Sequence, residues 1–277
     1  MRPAQQPEER NRNGGLRLKM KWTVVMADPA GNRTAIVRSG VPKSDRGRVA
    51  EAVMADEQLR AEQVGFETRP LYGGSLGRLE MAGGEFCGNA ARSYGYLLCM
   101  EKGIDHCKIE MSGTREQLEV ICDPERGTAA AQMPMPEKLE MAGEDAEEIY
   151  PLVVSRGITH MICTDREFDE DFARRMIDKF GKNYSAFGVQ FVNGEKLVPV
   201  VYVKASDSFC CESSCGSGSL AAAWFMARKE EDGFHGYNFE EPGGTIVVNI
   251  AKRQGRYAGT VGGKLTLEEP VVMETED

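Results

Sequence analysis

The chain is poor in the features that mark several protein classes. It has only three histidines and two tryptophans in 277 residues. No uninterrupted apolar run approaches the roughly 18–20 residues that span a bilayer as a helix. Basic residues are in the minority: 34 Lys and Arg against 43 Asp and Glu leave a net charge of −9, which argues against a broad nucleic-acid or anionic-membrane surface. The segment Met1–Lys19 has no apolar h-region, so it does not read as a secretory signal. Its polar composition is expected to give a disordered tail, with Met20 an alternative start. Eight cysteines without such a signal imply a reducing cytoplasm. Their spacing supplies no paired Cys-x-x-Cys or His-x-x-x-His, even where Cys210, Cys211 and Cys215 cluster, so no metal is expected. A hydrophobic content of 41% with 28% charged residues fits a soluble globular protein of one large or two ordinary domains.

What the chain does contain is a half-length repeat. Glu85-Phe-Cys-Gly-Asn-Ala-Ala-Arg-Ser-Tyr-Gly-Tyr-Leu-Leu98 and Ser213-Ser-Cys-Gly-Ser-Gly-Ser-Leu-Ala-Ala-Ala-Trp-Phe-Met226 each place one cysteine before Gly and a small polar residue, at the start of an apolar helix. Asn32 precedes Cys87, and His160 precedes Cys215, by the same 55 residues. Strand patterns at Lys21–Met26, Thr34–Val37, Gly65–Leu71 and Leu76–Met81 lead to the first helix, Gly88–Met100. A helix is also expected over Arg46–Glu62, with Val49, Val53, Met54 and Leu59 on one side. Strands at Cys107–Met111, Gln117–Cys122 and Thr128–Met133 follow. Met133-Pro-Met-Pro136 and the acidic stretch to Glu148 read as a linker. The order then recurs: strands at Leu152–Ile158 and His160–Cys163, helix Phe168–Phe180, strands at Val189–Val192 and Val198–Lys204, and the second apolar helix Gly216–Arg228. Gly244–Ile250 and Tyr257–Leu267 close as β-structure. An α/β (α+β) fold follows, with two pseudo-symmetric halves, each a mixed or antiparallel sheet curled around a very apolar central helix. The boundaries are 1–19 for the tail, 20–143 and 144–264 for the domains, with 265–277 able to complete the first.

One thiol per half suggests a cysteine on each side of a shared cleft, the arrangement that inversion of a carbon stereocentre requires. A helix N-terminus favours a thiolate, and the open N–H groups of Gly88, Asn89, Gly216 and Ser217 suit a carboxylate. Other readings exist. Either cysteine could be a buried core residue, and His160 a structural one. Gly216-Ser-Gly218-Ser-Leu-Ala221 fits the dinucleotide pattern, but the polar stretch Ser206–Ser214 stands where a strand should, and the segment that follows is the long helix and then the charged turn Lys229–Gly233. Cysteine–histidine hydrolysis needs one activated cysteine rather than two in equivalent settings.

The two cysteine motifs, with Glu85-Phe-Cys-Gly-Asn-Ala-Ala-Arg and Glu212-Ser-Ser-Cys-Gly-Ser-Gly-Ser, resemble the active-site motifs of the diaminopimelate epimerase family. The resemblance runs from about Met20 to the C-terminal strands and includes Gly31-Asn32, Val64-Gly-Phe66, His160 and Gly243-Gly244. It implies cofactor-independent amino-acid racemisation or epimerisation between two such domains, with Cys87 and Cys215 as the two bases and Asn32 and His160 lining the site. The family's distal Glu-Arg pair is Ser206-Asp207 here, its Gly-Asn-Pro-His is Gly157-Ile-Thr-His160, and a second asparagine becomes Gln190. A distal carboxylate has thus lost its counter-charge. The wording Met81-Ala-Gly-Gly-Glu-Phe-Cys87 and Glu212-Ser-Ser-Cys215 is similar to the histidine racemases of that family, in which Glu62 matches a residue near the imidazole. Asp207 or Glu212 would add negative charge. Histidine is therefore the expected substrate, with diaminopimelate epimerase activity or a non-catalytic amino-acid-binding protein as alternatives. The expected partner is a small amino acid, with no nucleic acid, membrane or cofactor, and with a homodimer compatible.

Overall fold

The computed structural model describes residues 20–274 except 39, 144–148 and 165. The expected tail 1–19 and the acidic part of the linker lie outside the described residues. The first half runs β1 (Lys21–Asp28), β2 (Thr34–Val37), α1 (Arg46–Ala55), β3 (Gln63–Thr68), β4 (Gly77–Met81), α2 (Gly88–Lys102), β5 (His106–Met111), β6 (Gln117–Asp123) and β7 (Thr128–Met133). After β8 (Lys138–Ala142), the second half runs β9 (Tyr150–Val154), β10 (Thr159–Cys163), α3 (Glu170–Lys179), β11 (Ala186–Asn193), β12 (Lys196–Val203), β13 (Ser208–Cys211), α4 (Gly216–Ala227), β14 (Gly233–Glu241), β15 (Gly244–Arg253) and β16 (Arg256–Lys264). β17 (Thr266–Leu267) and β18 (Val271–Glu274) end the described chain.

The strand pairings repeat with the sequence. β1–β2 is antiparallel, β2–β3 parallel around α1, β3–β4 antiparallel and β4–β5 parallel around α2. In the second half β9–β10 is antiparallel, β10–β11 parallel around α3, β11–β12 antiparallel and β12–β14 parallel around α4. Antiparallel β5–β6–β7 and β14–β15–β16 finish the halves. β16 pairs with β7, from Gly259↔Met133 to Lys264↔Thr128, so one hydrogen-bonded system crosses both halves. β17 and β18 return to pair with β1.

Each central helix is enclosed by its own strands. Every residue of α2 from Gly88 to Cys99 is buried, against β5, β6 and β7 on one side and β2 and β4 on the other. α4 buries Leu220, Ala221, Ala222, Ala223, Trp224 and Ala227 against β15, β16, β11 and β10. Two outer cores, one under α1 and one under α3, cover the other faces of the sheets. α2 ends at Gly103 in the left-handed conformation (φ 65°), whose N–H returns to Cys99 O.

Three sequence expectations need correction. The helix expected to reach Glu62 stops at Ala55. Asp56 turns extended, its carboxylate accepts the Gln58 and Leu59 N–H groups (2.8 and 3.3 Å), and Arg60 takes φ +47°. Val49, Val53 and Leu59 are buried, but Met54 is 47% exposed. The linker contains a strand, β8, paired with β9 and packing Leu139 on the second core. The polar stretch Ser206–Ser214 contains β13, an edge strand on β12.

Candidate active site

Both motif cysteines occupy the N-cap position of their helices, and only Cys87 caps with its side chain. Cys87 stands before α2 with extended backbone (φ −133°, ψ 117°), and its sulfur accepts the Ala90 N–H at 3.4 Å. Cys215 stands before α4 in nearly the same conformation (φ −133°, ψ 96°), with its sulfur 3.5 Å from Ser217 Oγ. The two helix starts touch. A Cβ at Gly216 would lie 3.7 Å from Asn89 Oδ1 and 3.8 Å from Asn89 N. Asn89 Nδ2 donates to Ser214 Oγ (3.2 Å), which donates to Pro29 O (3.3 Å). The fully buried Arg92 donates to Asn89 Oδ1 from Nε and to Lys264 O from Nη1, each at 3.2 Å. Asn89, expected to offer its N–H to substrate, therefore also ties the two helices together through its side chain.

A second polar group spans the halves at the more open side. Asn32 Nδ2 donates to Glu62 Oε2, and Ser213 Oγ donates to Glu62 Oε1, both at 3.3 Å. Gln63 Nε2 donates to Asn32 Oδ1 (2.5 Å) and Thr34 Oγ1 (2.7 Å), and lies within hydrogen-bonding reach of Cys87 sulfur. Burial raises the Glu62 carboxyl against the help of Ser213 and Asn32. Glu212 lies against the Cys215 thiol, and burial, with Glu62 nearby, pushes its carboxyl up to about 7. Asp207 is not part of this group: it sits in an exposed turn at φ +47° and accepts the Tyr202 hydroxyl at 2.9 Å.

His160 and Asn32 are not equivalent, despite their matched spacing. Asn32 lies in the turn ahead of β2, whereas His160 is the second residue of β10. The insertion of β13 between β12 and α4 shifts the count. His160 is wholly buried rather than at a rim, with Nε2 3.0 Å from Ser217 Oγ and Nδ1 3.1 Å from Gln190 Nε2. Burial lowers it to about 3, so it is a neutral imidazole behind the second helix start. Gln190 is equally buried. Gly188 and Gly218 make room for this pair: a Cβ would fall 2.2 Å from His160 Nδ1 and 2.3 Å from Gln190 Oε1, respectively. The second glycine of the dinucleotide-like pattern thus accommodates an amide side chain.

Burial works against the helix termini at both thiols. Burial raises Cys87, opposed by the Ala90 N–H, Gln63 and the Asn89 N–H. Burial, and then Glu212, raise Cys215 well above the ordinary thiol value. Withdrawal from water outweighs the helix termini at both. Two buried groups escaped the sequence reading altogether. Arg92 lies one turn beyond Cys87. Glu241 accepts the Cys215 N–H at 2.6 Å and contacts Ser219 Oγ. The inward alternation Tyr237, Phe239, Glu241 along β14 would have revealed Glu241, had that strand been recognised.

This arrangement of strands and helices recurs in solved structures. The fold is that of a hydroxyproline epimerase from Agrobacterium vitis (TM-score 0.64, 11% identity, covering 93% of each chain). It is equally that of a phenazine biosynthesis protein of the PhzF family from Bacillus anthracis (TM-score 0.66, 12% identity, 93% of this chain and 99% of that one). Sequence then narrows the class. Residues 21–268 match the family described as histidine racemase CntK N-terminal domain, and the chain belongs to that family. A histidine racemase of Fusobacterium nucleatum is 33% identical over 220 residues, covering 74% of this chain and 81% of the relative. One of Staphylococcus aureus is 27% identical over 254 residues, covering 86% and 92%. The protein is accordingly an isomerase of the amino-acid racemase type.

Proposed function

We propose that this protein racemises histidine without a cofactor, by two-base proton transfer between Cys87 and Cys215. The observation that carries the proposal is that two thiols, one from each half, stand at the N-cap positions of helices whose first turns are in contact. In one direction a thiolate of one cysteine takes the Cα proton and becomes a thiol. The other thiol then gives its proton to the opposite face of the carbanion and is left as the thiolate. The N–H groups of Gly88, Gly216 and Ser217 hold the carboxylate, where negative charge develops in the transition state. Glu62 and Glu212 present negative charge to the side chain of the substrate, which suits an imidazole and opposes the distal carboxylate of diaminopimelate. Kinship with the diaminopimelate epimerases rests on the paired motifs and on the order of the repeat. His160 and Gln190 support Ser217 from behind rather than touching substrate.

The test is racemisation in heavy water, followed by proton NMR from each enantiomer. The wild type should give product deuterated at Cα, while unreacted substrate keeps most of its protium early on. Cys87→Ala and Cys215→Ala should each abolish racemisation. Each variant should retain α-proton exchange with one enantiomer only, and with opposite preferences. Near wild-type racemisation by either variant overturns the assignment.

A further inference from the structure

Glu241 stands at the end of β14, 7% exposed, in contact with the first turn of α4. Its Oε2 accepts the Cys215 N–H at 2.6 Å. Its Oε1 contacts Ser219 Oγ, which is itself 2.9 Å from Cys215 O. Ser219 has one hydroxyl proton for these two oxygens. If Glu241 were ionised, one of the two short contacts would set acceptor against acceptor. If Glu241 carries a proton on Oε1, every atom is satisfied: Oε1–H donates to Ser219 Oγ, Ser219 donates to Cys215 O, and Oε2 remains a carbonyl oxygen for the Cys215 N–H.

The surroundings agree. The charged groups facing Glu241 are Arg92 from α2, which favours ionisation, and Glu212 from the segment before α4, which opposes it. Burial outweighs both and pushes the carboxyl up to about 8. Arg92 is shared with Asp28 and Cys87, and no hydrogen bond joins it to Glu241. A negative charge on Glu241 would also repel a thiolate at Cys215.

We propose that Glu241 is a positioning residue for Cys215: held as a neutral carboxylic acid behind the first turn of α4, it fixes the backbone of the thiol and keeps a negative charge away from the thiolate. This rests on the reading that Cys215 exchanges a proton during the reaction, but it is tested without turnover.

The infrared difference spectrum of wild type minus Glu241→Gln at pH 7 should contain a protonated-carboxyl C=O band. Iodoacetamide labelling of Cys215, followed by peptide mass spectrometry across pH 6–10, should coincide for the two proteins below about pH 7. At pH 9 the Gln variant should label about tenfold faster, the equivalent of one unit of thiol pKa, because only the wild type acquires the extra charge. Glu241→Asp, whose shorter side chain cannot reach both partners, checks that the geometry as well as the charge matters and should label differently from both. Circular dichroism confirms that each variant is folded. A difference spectrum showing only carboxylate bands at pH 7, or identical labelling curves at every pH, overturns the proposal. Failure of the cysteine variants to abolish racemisation would instead overturn the two-base reading and leave these measurements standing.

Discussion

Gly243→Ala adds one methyl group where the two halves touch. Gly243 lies in the turn between β14 and β15 and donates its N–H to Ser213 O at 2.7 Å. A Cβ there would lie 2.2 Å from Ala30 O and 2.9 Å from Gly31 Cα, both backbone atoms. Ordinary carbon–oxygen contacts begin near about 3.3 Å, so the opposing turns must separate by roughly 1 Å. One turn carries Asn32, and the other holds Ser213 two residues before Cys215. Overpacking of this kind costs about 1–3 kcal/mol, or roughly 2–12 °C in Tm for a chain of this size. A 1 Å misplacement of reacting groups costs about a hundredfold in rate. The activity loss should therefore exceed what the stability loss explains at a temperature well below Tm. The assay pairs calorimetry with chiral chromatography of histidine. Gly236→Ala on β14 is the control, because its Cβ would meet only Asn249 Oδ1 at 3.5 Å. If Gly243→Ala matched that control in both Tm and turnover, the tight contact between the turns would not position the site.

Glu62→Gln should raise KM for histidine about tenfold or more, with a smaller effect on kcat, since a charge-assisted hydrogen bond contributes about 1.5–3 kcal/mol; initial rates over a range of histidine concentrations measure it. His160 has a folded value of about 3 against about 6.5 unfolded. Between these values the unfolded chain binds the extra proton, so the stability from neutral His160 is complete above about pH 6.5 and is lost as pH falls towards 3. His160→Gln should flatten that limb of a Tm-against-pH curve, and an unchanged limb would show that His160 is not the group responsible.

The sequence showed the helices and the repeat well because both depend on local pattern. Cys-Gly followed by a mostly small and apolar run marks the starts of α2 and α4 to the residue. The boundary of α1 was less legible, because the capping of its end by Asp56 competes with a continuing apolar pattern. The edge strand β13 and the strand β14 were lost among charged and polar residues, since a strand exposed on one face has few apolar positions to report it. At the site, Cys87, Cys215, Asn32, Glu62 and Glu212 do come together in space. Asp207 does not, and His160 and Gln190 lie one layer back. Glu241 was missed with its strand, whose inward alternation carries it, whereas the role of Arg92 arises from its burial between the assembled sheets, which its neighbours in sequence do not report.

The pairing of β1 with β17 and β18 has a consequence for synthesis. β1 begins at Lys21, while its partners span Thr266–Glu274. A ribosome making this protein releases the Cys87 half long before the strands that cover its edge exist. Until then β1 exposes a row of unpaired backbone groups, a template for joining another nascent chain. The long interval also makes the final pairing slow to find. Chaperone dependence and misassembly on the polysome should therefore centre on this edge, and the emergence of β17 and β18 determines when the first half is safe.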